Sequence, residues 1–183
     1  MRRTSVTPTG REVTFGDDEV VVSKTDPKGV ITYANDVFLR VSGYAEHELI
    51  GQPHNIIRHP DFPRGVFKLL WDTLEAKQEI FAYVKNMTKS GDTYWVLAHV
   101  TPSLDASGRI VGHHSWRRRP EPAAVREVEG VYDVMRAEEA RHTRTIEAAE
   151  ASLALVGRVL AERGLSYDEF VWDLIARTTS LTR

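Results

Sequence analysis

With 183 residues, 42% hydrophobic and 27% charged, the chain has the length and apolar content for one real core plus an appendage. A net charge of −2 gives no general attraction to nucleic acid or anionic lipid, so neither is the expected partner. No run approaches the roughly 18 consecutive apolar residues of a membrane span, and cysteine is absent, which excludes disulfides, thiolate metal sites, iron–sulfur clusters and covalent thiol chemistry.

In chain order, residues 1–17 are polar, carry Pro8 and Gly10, and are expected to be a flexible segment. The opening MRRTSVTPTGREVTFGDD also lacks the apolar run of a signal peptide, which makes a soluble, cytoplasmic protein the expectation. Order is expected from residue 18. VVVSKTD and VITYA read as two strands joined at PKG, because Pro27 fixes φ and Gly29 tolerates φ > 0. Asn35 is a good N-cap for a helix carrying Val37, Phe38 and Val41, with Gly43 as its stop. One helical turn follows in AEHELIG. After an interrupted stretch, PRGVFKLLWDTLEAK places Val66, Phe67, Leu70, Trp71 and Leu74 on one helical face.

Three further strands are expected in IFAYVKN, TYWVLAHVTP and RIVGHHSWR, separated by the glycine turns KSGD and DASG. The order β-β-α-β-β-β, with helices gathered between the second and third strands, predicts an α+β domain over 18–119: a five-stranded antiparallel sheet with helices on one face. The run Arg117, Arg118 and Arg119 reads as a solvated strand end. Pro120 and Pro122 then end the sheet. Residues 120–183 read as a helical extension. Val125, Val128, Tyr132, Met135, Glu139, His142, Ile146, Ala149, Leu153, Val156 and Leu160 repeat at steps of three and four, the seam of a coiled coil or of a helical hairpin, broken by Glu139 and His142. A last helix begins at the capping box Ser166/Glu169.

The interrupted stretch, GQPHNIIRHPDFP from Gly51 to Pro63, combines two His, an Arg, an Asp, an Asn and three Pro around Ile56 and Ile57. It is too broken for a long helix and too apolar for a floating loop, which suggests the shaped wall of a binding site. Its structural alternative is a rigid turn in which Asp61 caps the next helix and Arg58 pairs with Asp61. No nucleotide-binding glycine loop, serine-hydrolase elbow or HExxH is present, so an enzyme is not expected.

TDPKGVITYANDVFLRVSGY, GQPHNIIRHPDFP, VKNMTKSGDTYWVLAHVTP and RIVGHHSWR resemble successive segments of a PAS domain, over about residues 20–119. GQPHNIIRHPDFP is the specific part and resembles the PAS sensor of the bacterial aerotaxis receptor family. The resemblance implies non-covalent FAD, redox or oxygen sensing, and a chemotaxis signalling partner. It also implies flavin-contacting roles for Asn35, Arg58, His59 and Asp61, with Trp71 as a cavity wall. One departure is Ile80, where the family pattern carries Trp, so Phe81 or Trp71 is expected to supply the stacking surface. The membrane anchor and methyl-accepting region of a complete receptor are not in this sequence, which reads as a fragment or a stand-alone sensor. Without cysteine, the cysteinyl–flavin adduct of blue-light PAS sensors is excluded, leaving reversible reduction. The alternatives are a sensor of heme, with His54, His59, His99 and His113 as candidate ligands, or of another small ligand, and a cofactor-free dimerisation or interaction module. A homodimer through the C-terminal helices is the expected assembly.

Overall fold

The computed structural model describes residues 6–180. Strands β1 (Val21–Thr25) and β2 (Ile31–Ala34) pair antiparallel. Their turn closes because Asp26 Oδ1 accepts from Lys28 N (2.8 Å) and Val30 N (2.9 Å), while Gly29 takes φ 79°. Asn35 then caps α1 (Asp36–Ser42), accepting from Phe38 N at 3.0 Å, and Gly43 ends it at φ 72°. The short α2 (Glu46–Leu49), a single 3-10 turn (His54–Ile57) and α3 (Arg64–Glu75) complete the helical layer. Strands β3 (Ile80–Met87), β4 (Thr93–Leu104) and β5 (Ile110–Arg118) finish an antiparallel sheet ordered β2-β1-β5-β4-β3, with β5 central.

Both faces of this sheet are covered. On β4, Tyr94, Val96, Ala98 and Val100 belong to a core shared with Phe38, Leu49, Ile57 and Leu74 of the helical layer. Trp95 and Leu97 alternate with them and enter a second core on the opposite face. That core is supplied by α4 (Pro122–Glu139), α5 (Thr145–Ala161) and α6 (Tyr167–Ser180). The expectation of helices on one face therefore describes α1–α3, and the extension fills the other.

The extension is the hairpin rather than the coiled coil. The heptad pattern does not run through, because residues 140–144 form the polar connection between α4 and α5. His142 sits in that connection and Ile146 is 69% exposed. Val128, Tyr132, Met135, Val156 and Leu160 are instead buried against Phe62, Val66, Tyr83, Trp95 and Leu97. Each such side chain gains about 1.5–3 kcal/mol over its exposed state, more than helix propensity supplies. Tyr132 also donates its hydroxyl to Tyr83 O at 2.7 Å, which fixes α4 on β3. Glu139, the acidic break in the seam, reaches α3: its Oε1 accepts from Gly65 N (3.0 Å) and Ser152 Oγ (2.8 Å).

The N-terminal segment differs from its expectation. Thr9 N donates to Gly91 O (2.9 Å), Thr93 N to Arg11 O (2.7 Å) and Val13 N to Thr93 O (2.8 Å), while Phe15 is buried in the first core. Asp92 holds the segment through Thr9 Oγ1 and Arg11 Nε. Residues 9–15 thus run beside the start of β4; residues 1–5 of the expected flexible segment lie outside the described residues.

Candidate functional site

Two faces of α3 do different work. Gly65 and Val66 meet the hairpin, and Phe67, Leu70, Trp71 and Leu74, at i, i+3, i+4 and i+7, face the sheet across a cavity of about 340 Å³. Val84, Ala98 and Val100 form the opposing wall, so a flat apolar slot separates helix from sheet. Polar groups enter it from the 3-10 turn (His54, Asn55), from Arg58, from β3 (Asn86) and from β5 (His113, Ser115, Arg117).

The run Arg58–Asp61 divides between two sides. At Arg58 the backbone is extended, φ −69° and ψ 126°, so successive side chains point opposite ways. Arg58 lines the cavity, donating from Nη2 to Phe62 O (2.9 Å), its guanidinium carbon 4.7 Å from the Phe67 ring centre. Burial first, then the Arg64 charge, lowers its pKa. His59 is buried and Asp61 half-exposed, and both line a second groove of about 610 Å³ between the N-terminal segment, β3–β4 and the start of α4. There His59 Nδ1 accepts from Asp61 N (3.1 Å), and the Asp61 carboxylate lies 4.0 Å from Lys85 Nζ. Burial and Lys85 lower the His59 pKa. The pairing of Arg58 with Asp61 does not form, and Asp61 does not cap α3.

Trp71 stands in the cavity wall, edge-on to His113 at 5.4 Å and so close over Gly29 that a Cβ there would lie 2.8 Å from its ring. Trp71 lines the slot together with Phe67, whereas Phe81 is on the outer face, stacked on His99 at 4.2 Å and touching Trp172. Ile80 is core, 1% exposed. Asn35 lies outside the cavity lining and spends its amide on backbone. Its Oδ1 accepts from Val22 N (3.0 Å) and Phe38 N (3.0 Å), and its Nδ2 donates to Val20 O (2.8 Å). Asn35→Ala is therefore expected to cost about 1–2 kcal/mol, lowering the melting temperature by a few degrees, with ligand affinity unchanged. A ligand affinity that falls in step with stability would return Asn35 to the site.

Sequence reasoning missed Arg117. It is 4% exposed rather than solvated, and its Nη2 donates to Ser23 Oγ (2.7 Å) and His54 Nε2 (2.7 Å). Because arginine only donates, Nε2 of His54 is an acceptor and that ring is neutral. Burial and then the Arg117 charge press the His54 pKa down to about 3, and burial brings Arg117 to about 10. The signal was present as period-two alternation: His113, Ser115 and Arg117 share one face of β5 with the cavity.

A five-stranded antiparallel sheet of this order, with short helices enclosing a slot against one face, defines a PAS domain. Residues 31–115 match the family model described as the PAS fold, and the chain contains a PAS domain. It is similar to the aerotaxis receptor of Escherichia coli K12, 41% identical over 129 residues, covering 70% of this chain and 25% of the receptor. It is 30% identical over 99 residues to the nitrogen fixation regulatory protein of Klebsiella pneumoniae, 54% of this chain and 20% of that protein. The chain thus spans about a quarter or less of these relatives. Among solved structures, a light-oxygen-voltage domain whose mechanism was probed with a flavin analogue superposes with a TM-score of 0.55 at 22% identity, covering 61% of this chain and 86% of that one. The light state of the Aureochrome1 light-oxygen-voltage domain gives the same score over 62% and 91%. These superpositions show the shared fold. Among the described residues, no helix is long and apolar enough to cross a membrane and no cluster of His, Asp and Glu could hold a metal ion.

Proposed function

We propose that the chain is the sensory part of an aerotaxis-type signalling protein, which binds FAD non-covalently between α3 and the sheet and reports redox state or oxygen through its C-terminal helices. The observation that carries this reading is the slot itself, flat and apolar between Trp71/Leu74 and Ala98/Val100, with hydrogen-bonding groups at its edges. An isoalloxazine ring asks for that combination, and its phosphates ask for a cation near the mouth, where Lys28 is exposed and Arg58 half-buried. Bound flavin would supply reversible electron uptake; the chain's part is to hold the ring, keep water from it and feel its charge. Sequence relatedness to the aerotaxis receptor supports the output.

In this reading residues 18–119 sense and 120–183 transmit, in a cytoplasmic setting. The path is short, since β5 carries Arg117 and is followed within a few residues by α4. A homodimer through the C-terminal helices, or a chemotaxis signalling partner docking there, would meet their outer faces, where Val134, Ile146 and Trp172 are exposed, since the seam itself is covered by the sheet. His59 and Asp61, in the second groove, act on this junction rather than on the flavin ring.

Of the four candidate heme ligands, His54 Nε2 is engaged by Arg117 and Ser23, His59 lines the second groove and His99 stacks on Phe81 at the outer face, which leaves His113 in the cavity wall as the ring a heme reading would rest on. Absorbance of the purified full chain is the test. Paired bands near about 370 and 450 nm are expected, and a Soret band or a colourless protein that takes up no added FAD would reject the proposal.

A further inference from the structure

Arg117 is a buried cation without an anion. Its Nη1 has no hydrogen-bond partner among the described residues, although Nη2 is fully used. Among the described residues Arg117 forms no ion pair with a carboxylate, and the Tyr94 phenol that favours its charge is itself held protonated, its pKa pushed up by burial. His54 stays neutral and contributes a lone pair only, and the Phe38 ring lies 5.4 Å from the guanidinium. Two further buried polar atoms lack partners, Ser115 Oγ and Tyr94 Oη, and both residues lie on the same face of the sheet as Arg117. Buried charges in folded proteins are paired, and a buried donor left unmatched is costly. Here the unmatched donors of Arg117 and Ser115 belong to residues that line the cavity.

We propose that Arg117 is the anion-recognition group in the β5 wall of the cavity, taking the anionic or most electron-rich edge of a planar ring ligand on Nη1, with Ser115 Oγ beside it. The need for an acceptor follows from Arg117 alone; naming the ligand a flavin rests on the function proposed above. Arg117 and Arg58 then divide the ligand, the deep guanidinium on the ring and the half-buried one, with Lys28, on phosphate. A negative charge on the ring would be favoured by Arg117, so the same contact biases the bound cofactor toward its reduced, anionic state.

Riboflavin, which has no phosphate, separates the two contacts. Dissociation constants of riboflavin, FMN and FAD are measured by fluorescence quenching for the wild-type full chain, Arg117→Met, Arg117→Gln and Arg58→Met. Arg117→Met is expected to weaken all three ligands about tenfold to a hundredfold, whereas Arg58→Met weakens FMN and FAD and spares riboflavin. Riboflavin affinity unchanged in Arg117→Met overturns the assignment, as does a loss confined to the phosphorylated flavins. A second readout needs no ligand. Removing an uncompensated buried charge for an apolar side chain of similar volume should leave the cofactor-free protein melting at or above wild type, since Ser23 and His54 still hold each other at 3.0 Å. Melting well below wild type in both Arg117 variants would make Arg117 a structural residue and sink the inference. If the wild type binds none of the three flavins, the proposed function fails by itself, and the melting comparison still decides the role of Arg117.

Discussion

Gly65→Val is expected to lower the melting temperature by several degrees and to raise hydrogen exchange first in α5. At Gly65 of α3, atoms of both α4 and α5 come close to the helix backbone. A Cβ at this position would lie 2.8 Å from Met135 Cε and 2.9 Å from Leu153 N, besides overlapping Ser152 Oγ. The first and last are ends of side chains that can turn away; Leu153 N is backbone and cannot. Overpacking of this kind costs about 1–3 kcal/mol, and for a chain of this length each kcal/mol moves the midpoint by about 2–4 °C. The strain falls on the same joint that Glu139 closes by accepting from Gly65 N and Ser152 Oγ, so α5 should loosen before the sheet does. The PAS cavity lies on the other face of α3, and ligand uptake should survive. A midpoint within about 1 °C of wild type, with unchanged exchange in α5, would show that the joint is looser than its geometry.

Where the sequence was legible, local chemistry and global fold agreed. Asn35 and Gly43 bound α1, the Ser166/Glu169 box starts α6, with Ser166 N donating to Glu169 at 2.7 Å, and the glycine turns separate β3, β4 and β5. The covered outer face was harder to see, yet it left a trace: β4 is buried without interruption from Thr93 to Ala98, the pattern of a strand packed on both sides. The seam pattern of 125–160 was real but ambiguous, because a stripe that fits a partner helix also fits a sheet. Only tertiary contact decided between them.

The site was legible in part for a different reason. Arg58, His59 and Asp61 drew attention because their stretch is chemically dense, but density does not say which way a side chain points: Arg58 lines the cavity with Trp71 of α3, and the extended backbone turns His59 and Asp61 to the second groove. Arg117 was passed over because arginine is almost never fully buried without a partner, so a basic run at a strand end reads as solvent-facing. It is the exception that marks the cavity.

His54 gives the largest expected pH effect. Its pKa is about 3 in the folded chain against an ordinary value of 6.5, because burial and the Arg117 charge both oppose protonation. Facing it are Arg117 from β5, which only donates, Ser23 from β1, whose neutral hydroxyl already accepts from Arg117, and the Phe38 ring of α1 at 5.9 Å, so a protonated ring would lose the Arg117 bond and gain no anionic partner. As pH falls below 6.5 the unfolded chain takes up a proton that the native chain refuses, so stability drops with falling pH, by about 1.4 kcal/mol per unit once the unfolded imidazole is mostly charged. His59, His113 and His114 are also lowered, chiefly by burial, and add slope of the same sign. The carboxylates held low, Asp105 at about 2 among them, contribute only at more acid pH. Between pH 6.5 and 5 the histidines therefore act nearly alone, and His54 accounts for about 1.5 kcal/mol. His54→Gln keeps an acceptor for Arg117 and does not titrate. Its denaturant midpoint should fall visibly less than that of wild type across this interval, and parallel profiles for the two proteins would mean that His54 is not the group that resists the proton.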